Sequence, residues 1–478
     1  MATKAKARVR PASMQAAHRH AYLEHWPDGP RTVRVRRVPL SAQQRRWIEQ
    51  AWAYLDVKKA IDLDVDLTNI YSPTGFEREV NGYIVDYWKR LGIDAFYQEM
   101  DPTQGNAVGR FKGSGDGPTV LLCCPVDTHW KGNIADDGLQ WGDPMRRDNL
   151  RPAQVEGQTV IGLGSMNDKG MAVSIMMAVE ALQRAGVPFR GTLNAAILAG
   201  GAPAISTGDE PRKNISLCAG AFHALTRGIT GDYCLYHKPG HGVSWEEPGM
   251  LYFRIRVHGD PSYMGNETNP ERPYRVIQDV ARILRELDAW YLEYRDKYAA
   301  ANFPPRISAN GVRAGRSDKP NWSPAIAEIF LDMRQGPWMS PMEAKYVFDD
   351  AMRGIVGKYP GMRAEWEMYT AMPGGRTDPD NWIIQSAIRG AQTVDGSTSE
   401  TYETTGGGQT EAGVLRTWGL PTARIAGRDP NPELPGDIAK GFTMSGAYGP
   451  NLVKASKTMI HAIVDTLTRS REETGLAY

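Results

Sequence analysis

The stretch TVLLCCPVD, residues 119–127, decides the fold class of this chain. Residues 119–124 form an apolar run that ends in a loop, which is typical of a strand buried on both faces of a sheet. A helical pattern follows over residues 170–185, and a second apolar run follows over residues 192–198. Because strand and helix alternate, we predict an α/β sheet with crossover connections.

Local patterns on both sides of this stretch predict further elements. Before it they predict one helix over 41–67, a turn over 72–75, a helix that ends at Gly92, and strands over 93–98 and 107–111. After residue 231 the pattern changes to strands over 251–257, 325–333 and 363–369, with helices over 275–287 and 347–355. Such an order is typical of a small open-faced sandwich. The α/β pattern returns from residue 378 and ends in a helix over 452–468.

These changes of pattern give the domain organisation. We predict a basic N-terminal arm over 1–40, a main α/β domain over 41–243 and 375–478, and an inserted domain over 244–374. A chain of 478 residues is too long for one hydrophobic core, which agrees with at least two domains.

Composition excludes several classes of protein. A net charge of +1 gives no case for nucleic-acid binding. No apolar run approaches the roughly 18 residues that span a bilayer. The four cysteines fit a reducing compartment. Residues 1–37 are rich in Lys and Arg, with Glu24 and Asp28 as their acids, and lack the apolar core of a secretory signal. We therefore expect a cytoplasmic protein that binds neither nucleic acid nor membrane.

Several motifs recur in the order of one known family. They are SPTGFE at 72–77, a helix that ends in LG at 91–92, PNWSPAIAEIFLDMR at 320–334, GGGQTEAGVL at 406–415 and WGLPTARIAG at 418–427. Together they resemble the zinc-dependent acylase and exopeptidase superfamily, which includes acetylornithine deacetylase, succinyl-diaminopimelate desuccinylase and glutamate carboxypeptidase. The resemblance covers residues 41–478. It implies a mixed-sheet main domain and an inserted ferredoxin-like α+β domain that acts as lid and dimerisation module.

The resemblance also implies where two zinc ions would be held, and those positions carry other residues. The first His is Pro125, the bridging Asp is Asn167, and a later acid is Lys238. The segment LAGGAPA at 198–204 has no carboxylate where the family has a Glu-Glu pair, and no histidine lies between His258 and His461. Because zinc needs nitrogen, sulfur or carboxylate donors, we predict no metal and no other cofactor.

The retained polar residues give the candidate site. The catalytic candidates are Asp127, Asp168, Lys238 and Tyr263, the last at the position of the family's carbonyl-polarising His. Lys238 would compensate the charges of Asp127 or Asp168 in the place of metal. Lys238 and Tyr263 could serve a metal-free acid–base mechanism, or they could equally just fill the cleft that the metal ions vacate. The substrate-binding candidates are His129, His237, Asn167, Arg334, Arg428 and Glu411.

Other interpretations of these residues remain open. His129 and His237 could form an unorthodox metal site with Asp127 and Asp168. Cys123 and Cys124 could supply a nucleophile beside His129, although their apolar strand favours structural burial. Arg334 could bind a substrate carboxylate, but an ion pair with Asp332 is favoured.

Three functions follow as hypotheses, because a fold does not fix a function. The first is a non-catalytic or regulatory subunit that partners a related active chain. The second is a metal-independent hydrolase or lyase that acts on C–N or related bonds of small carboxylate-bearing molecules. The third is a small-ligand binding protein. In each case we expect a homo-oligomer, or a hetero-oligomer with a related chain, formed through an edge strand and helix of the inserted domain.

Overall fold

The structure is a computed structural model that describes residues 32–142, 145–203, 217–240, 242–266, 276–298, 303, 305–404, 408–426, 431–438 and 445–476. It contains two compact units, which we call the main domain and the inserted domain. The inserted domain covers residues 248–374, and the described residues before and after it form the main domain. The change of pattern along the sequence predicts this insertion at 244–374.

The first part of the main domain alternates helices and strands. Its elements are β1 (Thr32–Arg34), α1 (Ala42–Trp52), α2 (Val57–Asn69), α3 (Arg78–Arg90), β2 (Asp94–Glu99), β3 (Gly105–Phe111), β4 (Thr119–Pro125), α4 (Ile134–Trp141), β5 (Gln154–Glu156), β6 (Thr159–Ile161), α5 (Met171–Ala185), β7 (Thr192–Leu198), α6 (Ala219–Leu225), β8 (Tyr233–His237), β9 (Val243–Ser244) and β10 (Glu246–Glu247).

The prediction of one helix over 41–67 is wrong, because the chain forms α1 and α2 there. Ser41 caps α1 through a capping box with Gln44. The chain then leaves the helix after Trp52, and the Asp56 side chain accepts a hydrogen bond from the Lys59 amide to start α2. An aspartate competes with the helical backbone for hydrogen bonds, so it favours a new N-cap over a continuous helix.

The inserted domain follows with β11 (Gly249–His258), β12 (Ser262–Tyr263), α7 (Val276–Tyr298), β13 (Arg306–Ala314), β14 (Trp322–Ser323), β15 (Ile326–Gln335), α8 (Pro341–Gly357) and β16 (Arg363–Met372). Its main sheet has the antiparallel order β13-β15-β11-β16, and α7 and α8 pack against it. Strand and helix order are therefore ferredoxin-like, as predicted. Phe253 of β11 stacks on Phe348 of α8 in its core.

Strand β13, an edge strand of this sheet, is not among the strands predicted from the sequence. Most of its residues are exposed, and its register with β15 shifts between Ala309 and Gly311. A strand without a buried face shows no alternation of apolar and polar residues, so periodicity could not indicate it.

The main domain is completed by β17 (Gly375–Arg376), α9 (Trp382–Asp395), β18 (Thr401–Glu403), α10 (Glu411–Thr417), β19 (Thr422–Ile425), β20 (Gly446–Tyr448) and α11 (Gly449–Leu467). Helix α5 is buried on nearly every side and packs against α11, which also packs against α9. In the described part of the chain, no helix combines the length and the apolar character needed to cross a membrane.

The central sheet is mixed and fixes the place of the site. Among the described residues its strand order is β2-β3-β7-β4-β8-β19-β9. Strands β7, β4, β8 and β19 are parallel. On one side β3 pairs antiparallel with β7 and with the edge strand β2, and on the other side the edge strand β9 pairs antiparallel with β19. The carboxyl ends of the parallel strands therefore meet at one edge of the sheet, which is where ligands bind in such folds.

Candidate functional site

Several polar side chains meet at this edge of the sheet. Asp127 follows β4 and Lys238 follows β8, while Glu411 is the first residue of α10. Asp168 lies in the helical turn over Ser165–Gly170 that precedes α5. We call Asp127, Asp168, Tyr236, Lys238 and Glu411 the Lys238 cluster.

The ion pair between Lys238 and Asp168 is the centre of this cluster. The Lys238 Nζ donates to Asp168 Oδ1, while Asp168 Oδ2 has no hydrogen-bond partner among the described residues. Burial raises the pKa of Asp168 to about 7, with a further contribution from Asp127 and Glu411, although Lys238 opposes them. Burial tends to lower the pKa of Lys238, but the carboxylates of Asp168 and Glu411 outweigh it and raise that pKa. Lys238 is therefore an ammonium group, and it contacts Asp168 rather than Asp127.

Tyr236 and Glu411 form a second buried pair. The Tyr236 hydroxyl donates to Glu411 Oε2, and Glu411 Oε1 has no partner in the described part of the chain. Burial raises the pKa of Glu411. Tyr236 lies in β8 and Lys238 is the first residue after it, where its amide still pairs with Ile425 of β19, so the period of a strand puts both side chains on the same side. A Cβ at Gly201 would collide with Pro125 and with Glu411 Oε1, so the chain after β7 requires glycine there.

Asp127 and Glu77 hold the loop that follows β7. Asp127 accepts hydrogen bonds from Thr74 Oγ1 at 2.6 Å and from the amides of Gly201 and Ala202 at 2.8 Å. Glu77 Oε1 accepts from the amides of Gly75 and Gly200 at 2.9 Å, and Glu77 Oε2 has no partner among the described residues. Two buried carboxyl groups therefore fix the backbone beside Lys238.

Glu77 was not identified as a site residue from the sequence, although it ends the motif SPTGFE. Its burial, followed by the charge of Asp127, raises its pKa to about 8. In the sequence Glu77 stands just before a predicted helix, where an acid usually serves as a cap, so its position gave no reason to place it in a site. In the structure Glu77 precedes α3, but its side chain does not cap that helix.

Replacing Glu77 with Gln is expected to change the pH dependence of stability. A carboxyl group whose pKa is raised on folding binds its proton more tightly in the folded state, so stability is lost as the pH rises from about 4.5 to about 8. The Glu77→Gln variant should therefore gain stability relative to the parent over that pH range, as measured by urea unfolding. Glu79→Gln, an exposed change two residues later, is the control. A difference between Glu77→Gln and the parent that does not vary with pH would contradict the assignment.

The histidine candidates differ in their surroundings. His129 is half-buried, and burial together with Lys238 lowers its pKa to about 4. His237 is fully buried, and its Nδ1 lies 2.9 Å from the Ile425 carbonyl oxygen. His237 alternates with Tyr236 and Lys238 along β8, so it faces away from the cluster. Asn167 is buried next to Asp168 in the same turn.

The cysteines of β4 lack the properties of a nucleophile. Cys123 and Cys124 are fully buried, and Cys123 Sγ lies 3.7 Å from Cys234 Sγ. Burial raises the pKa of both thiols well above its ordinary value. A reactive cysteine needs an accessible thiolate, so structural burial is the better interpretation.

The remaining candidates lie elsewhere in the chain. Tyr263 and Arg334 belong to the inserted domain. Tyr263 packs against Trp322 with ring centroids 5.4 Å apart. Arg334 forms two hydrogen bonds of 2.6 Å with Asp332, which confirms the predicted ion pair. Arg428 lies outside the described residues, as does most of the segment at 441–445 where the resemblance places a late His.

The donors at the cluster do not fit a pair of zinc ions. In the described ranges, no group of three or more His, Cys, Asp or Glu side chains could hold a metal ion. Pro125 and Gly201 offer no side-chain donor, and Lys238 brings a positive charge against Asp168. A protonated lysine has no free lone pair on its nitrogen, so it cannot ligate a metal ion. The structure therefore gives no support to a metal site built from His129 and His237.

Comparisons with known proteins agree with this architecture. No family model matches the chain. A curated relative, a probable carboxypeptidase of Arthroderma gypseum, is 23% identical over 319 residues, or 63% of this chain. The matched region spans 62% of that relative's length.

Three solved structures show the same fold over most of the chain. Human carnosine dipeptidase 1 has a TM-score of 0.65 at 13% identity and covers 90% of this chain and 100% of its own. A tripeptidase from Staphylococcus aureus has a TM-score of 0.63 at 13% identity, and the match covers 87% of this chain and 100% of the tripeptidase. The third is the YXEP protein of Bacillus subtilis, a dinuclear metal binding peptidase from the M20 family. It has a TM-score of 0.54 at 15% identity, and the match covers 87% of this chain and 99% of the YXEP protein. The chain therefore has the fold of these peptidases, and the resemblance drawn from its motifs is confirmed at the level of the fold.

Proposed function

We propose that this protein is a metal-independent enzyme on the peptidase fold. In this proposal, the Lys238 cluster transfers protons during cleavage of a C–N or related bond in a small carboxylate-bearing molecule. The contact between Lys238 and Asp168 carries the proposal, because it places a fixed ammonium group at a position where the family has an acidic ligand. The fold alone supports only a peptidase-like or amidohydrolase-like ancestry.

Lys238 and Asp168 would have complementary roles. An ammonium group in a poorly hydrated site can stabilise negative charge that develops on a carbonyl oxygen. Asp168 has a pKa of about 7 and an oxygen without a partner in the described residues, so it can take up or release a proton near neutral pH. Proton transfer is most efficient when the pKa of the group lies near the working pH.

Glu411 would take part as a second carboxyl group. Burial raises its pKa, and the Tyr236 hydroxyl donates a hydrogen bond to one of its oxygens. Two carboxyl groups with different surroundings can divide acid and base roles between them.

The unfavourable free energy of burying the charges of the Lys238 cluster also supports a function. Asp127, Asp168 and Glu411 are all buried around one ammonium group. Such an arrangement is unfavourable for stability, because each buried charge loses its hydration. Carboxyl groups whose pKa is raised, as it is for Asp168 and Glu411, concentrate at functional sites.

The test is hydrolysis of acyl-amino acids and dipeptides by the purified protein, before and after treatment with a chelator. We expect turnover that survives the chelator, no stoichiometric zinc, cobalt or manganese by elemental analysis, and loss of turnover in Asp168→Asn. Asp62→Asn, a change at an exposed aspartate, serves as the control. One or two bound metal ions per chain, with activity lost on their removal, would overturn the proposal.

A non-catalytic subunit is the second candidate, favoured by the surface of the inserted domain. Val312, Trp322 and Ile326 are about half exposed there, and β13 leaves an open sheet edge among the described residues. Exposed apolar side chains beside an open edge suit an interface with a second chain. If the purified chain turns over no substrate but self-associates in sedimentation, and Val312→Lys weakens that association, this candidate is preferred.

A further inference from the structure

A cavity lies in the main domain, among residues that the proposed function does not use. Its volume is about 1430 Å³. Its walls come from the segment over 34–40, from α1, from α9 and the turn after it, and from His461 of α11. We propose that this cavity binds a small amphipathic anion, in which one carboxylate or phosphate group is attached to an apolar body.

The positive charge of the cavity comes from arginines without strong partners. Among the described residues Arg34 and Arg45 form no ion pair, and the Arg45 side chain donates to the Leu40 carbonyl oxygen. Arg36 and Arg37 pair with Asp380 at 3.5 Å and Glu400 at 3.2 Å, but all four side chains are more than half exposed. Exposed pairs of this kind are weak, so these guanidinium groups remain available to an anion.

A buried arginine and a buried histidine line the same cavity. Arg389 uses one nitrogen on Asp465, whereas its Nε has no partner among the described residues. Its side chain is 10% exposed. His461 is 3% exposed, and its Nδ1 has no partner in the described part either. Buried polar groups are nearly always hydrogen-bonded, so two such groups beside one cavity indicate a site for a polar ligand.

Apolar side chains alternate with the arginines along the segment. Val35, Val38 and Leu40 are half-buried, and Trp52 of α1 is half-buried beside them. An inorganic anion would leave this apolar surface in water, whereas an apolar body would cover it with a gain in free energy. Arginines and apolar side chains together therefore favour a ligand that has both an anionic group and an apolar body.

The backbone of the segment is fixed before any ligand binds. The Val35 amide donates to the Glu400 carbonyl oxygen at 2.8 Å, and the Arg36 amide donates to Gln385 Oε1 at 2.8 Å. The Gln385 side chain in turn donates to the Arg34 carbonyl oxygen at 3.2 Å. A preorganised backbone lowers the entropy lost on binding.

The test is calorimetric titration of the full chain with decanoate, decyl phosphate, inorganic phosphate and 1-decanol at low salt. We expect saturable binding of decanoate or decyl phosphate, and the comparison of these two identifies the head group. The double change Arg34→Gln with Arg45→Gln should weaken that binding by about tenfold or more, because two charged hydrogen-bond donors are lost. Arg46→Gln, on the same helix but outside the cavity, is the matched control.

Three outcomes would overturn the inference. The first is the absence of saturable binding to either amphipathic anion. The second is equal binding of inorganic phosphate or of 1-decanol, since one part of the ligand would then be unnecessary. The third is equal weakening by Arg46→Gln, which would indicate a general charge effect rather than this cavity.

Discussion

Replacing Lys238 with Met is expected to destabilise the protein by about 3 to 5 kcal/mol at pH 8, because it leaves buried carboxylates without their cation. Asp168 is fully buried, and Lys238 is its hydrogen-bond partner. The loss should be smaller at pH 6, since Asp168 has a pKa of about 7 and can then be protonated more cheaply. Urea unfolding at both pH values measures the effect.

The control for this change is Lys58→Met, which removes an exposed lysine paired with Asp62. Its effect should be small, because an exposed ion pair contributes little. If Lys238→Met unfolds like the parent at pH 8, the ammonium group does not compensate the cluster. A variant that keeps both its stability and its turnover would remove Lys238 from the proposed function altogether.

The second large effect is expected at Glu247, the last residue of β10. Glu247 is fully buried within 3.7 Å of Arg416 and 3.6 Å of Arg424. It also accepts hydrogen bonds from the amides of Thr410 and Gly413 at the start of α10. Glu247→Gln keeps the shape of the side chain but removes the charge that two buried guanidinium groups need. We expect a loss of about 3 to 5 kcal/mol in the free energy of unfolding.

Glu365→Gln provides the comparison for Glu247→Gln. Glu365 is exposed and lies near Arg256 and His258. Its removal should change stability far less, because water screens these charges. Similar losses in the two variants would contradict the view that Glu247 acts as the buried counter-charge. Since α10 begins at Glu411, we also expect Glu247→Gln to reduce turnover by disturbing that residue.

Most elements of both sheets could be predicted from local patterns. The strand over residues 192–198 and the ends of α5 and α11 were predicted to within a few residues. These segments carry their signal in the spacing of apolar side chains, since a buried helix or strand needs an apolar face wherever it lies. The break between α1 and α2 and the edge strand β13 were not predicted. A helix cap and an exposed strand each depend on few residues, so neither gives a clear periodic pattern.

Parts of the site could also be predicted. Asp127, Asp168, Lys238 and Glu411 were candidates from the sequence, and the structure brings them to one edge of the sheet. His237 was a candidate as well, although the alternation of side chains along β8 places it on the opposite side from Lys238. Glu77 and Tyr236 were absent from the prediction, since each is defined by a partner distant along the chain. The hydrogen bond from Tyr236 to Glu411, for example, joins residues that are 175 positions apart in the sequence.

The sequence by itself determined which side chains are available at the positions where the resemblance implies metal ligands. Proline and glycine lack donor side chains in any fold, and lysine brings an amino group in the place of a carboxylate, so this much about Pro125, Gly201 and Lys238 can be read without coordinates. Only the tertiary structure decided that Lys238 contacts Asp168 while Asp127 holds the backbone of Gly201 and Ala202. The reason is that partner choice depends on distance and burial, which arise when β4, β7 and β8 align in parallel and the turn at Asp168 packs against their ends.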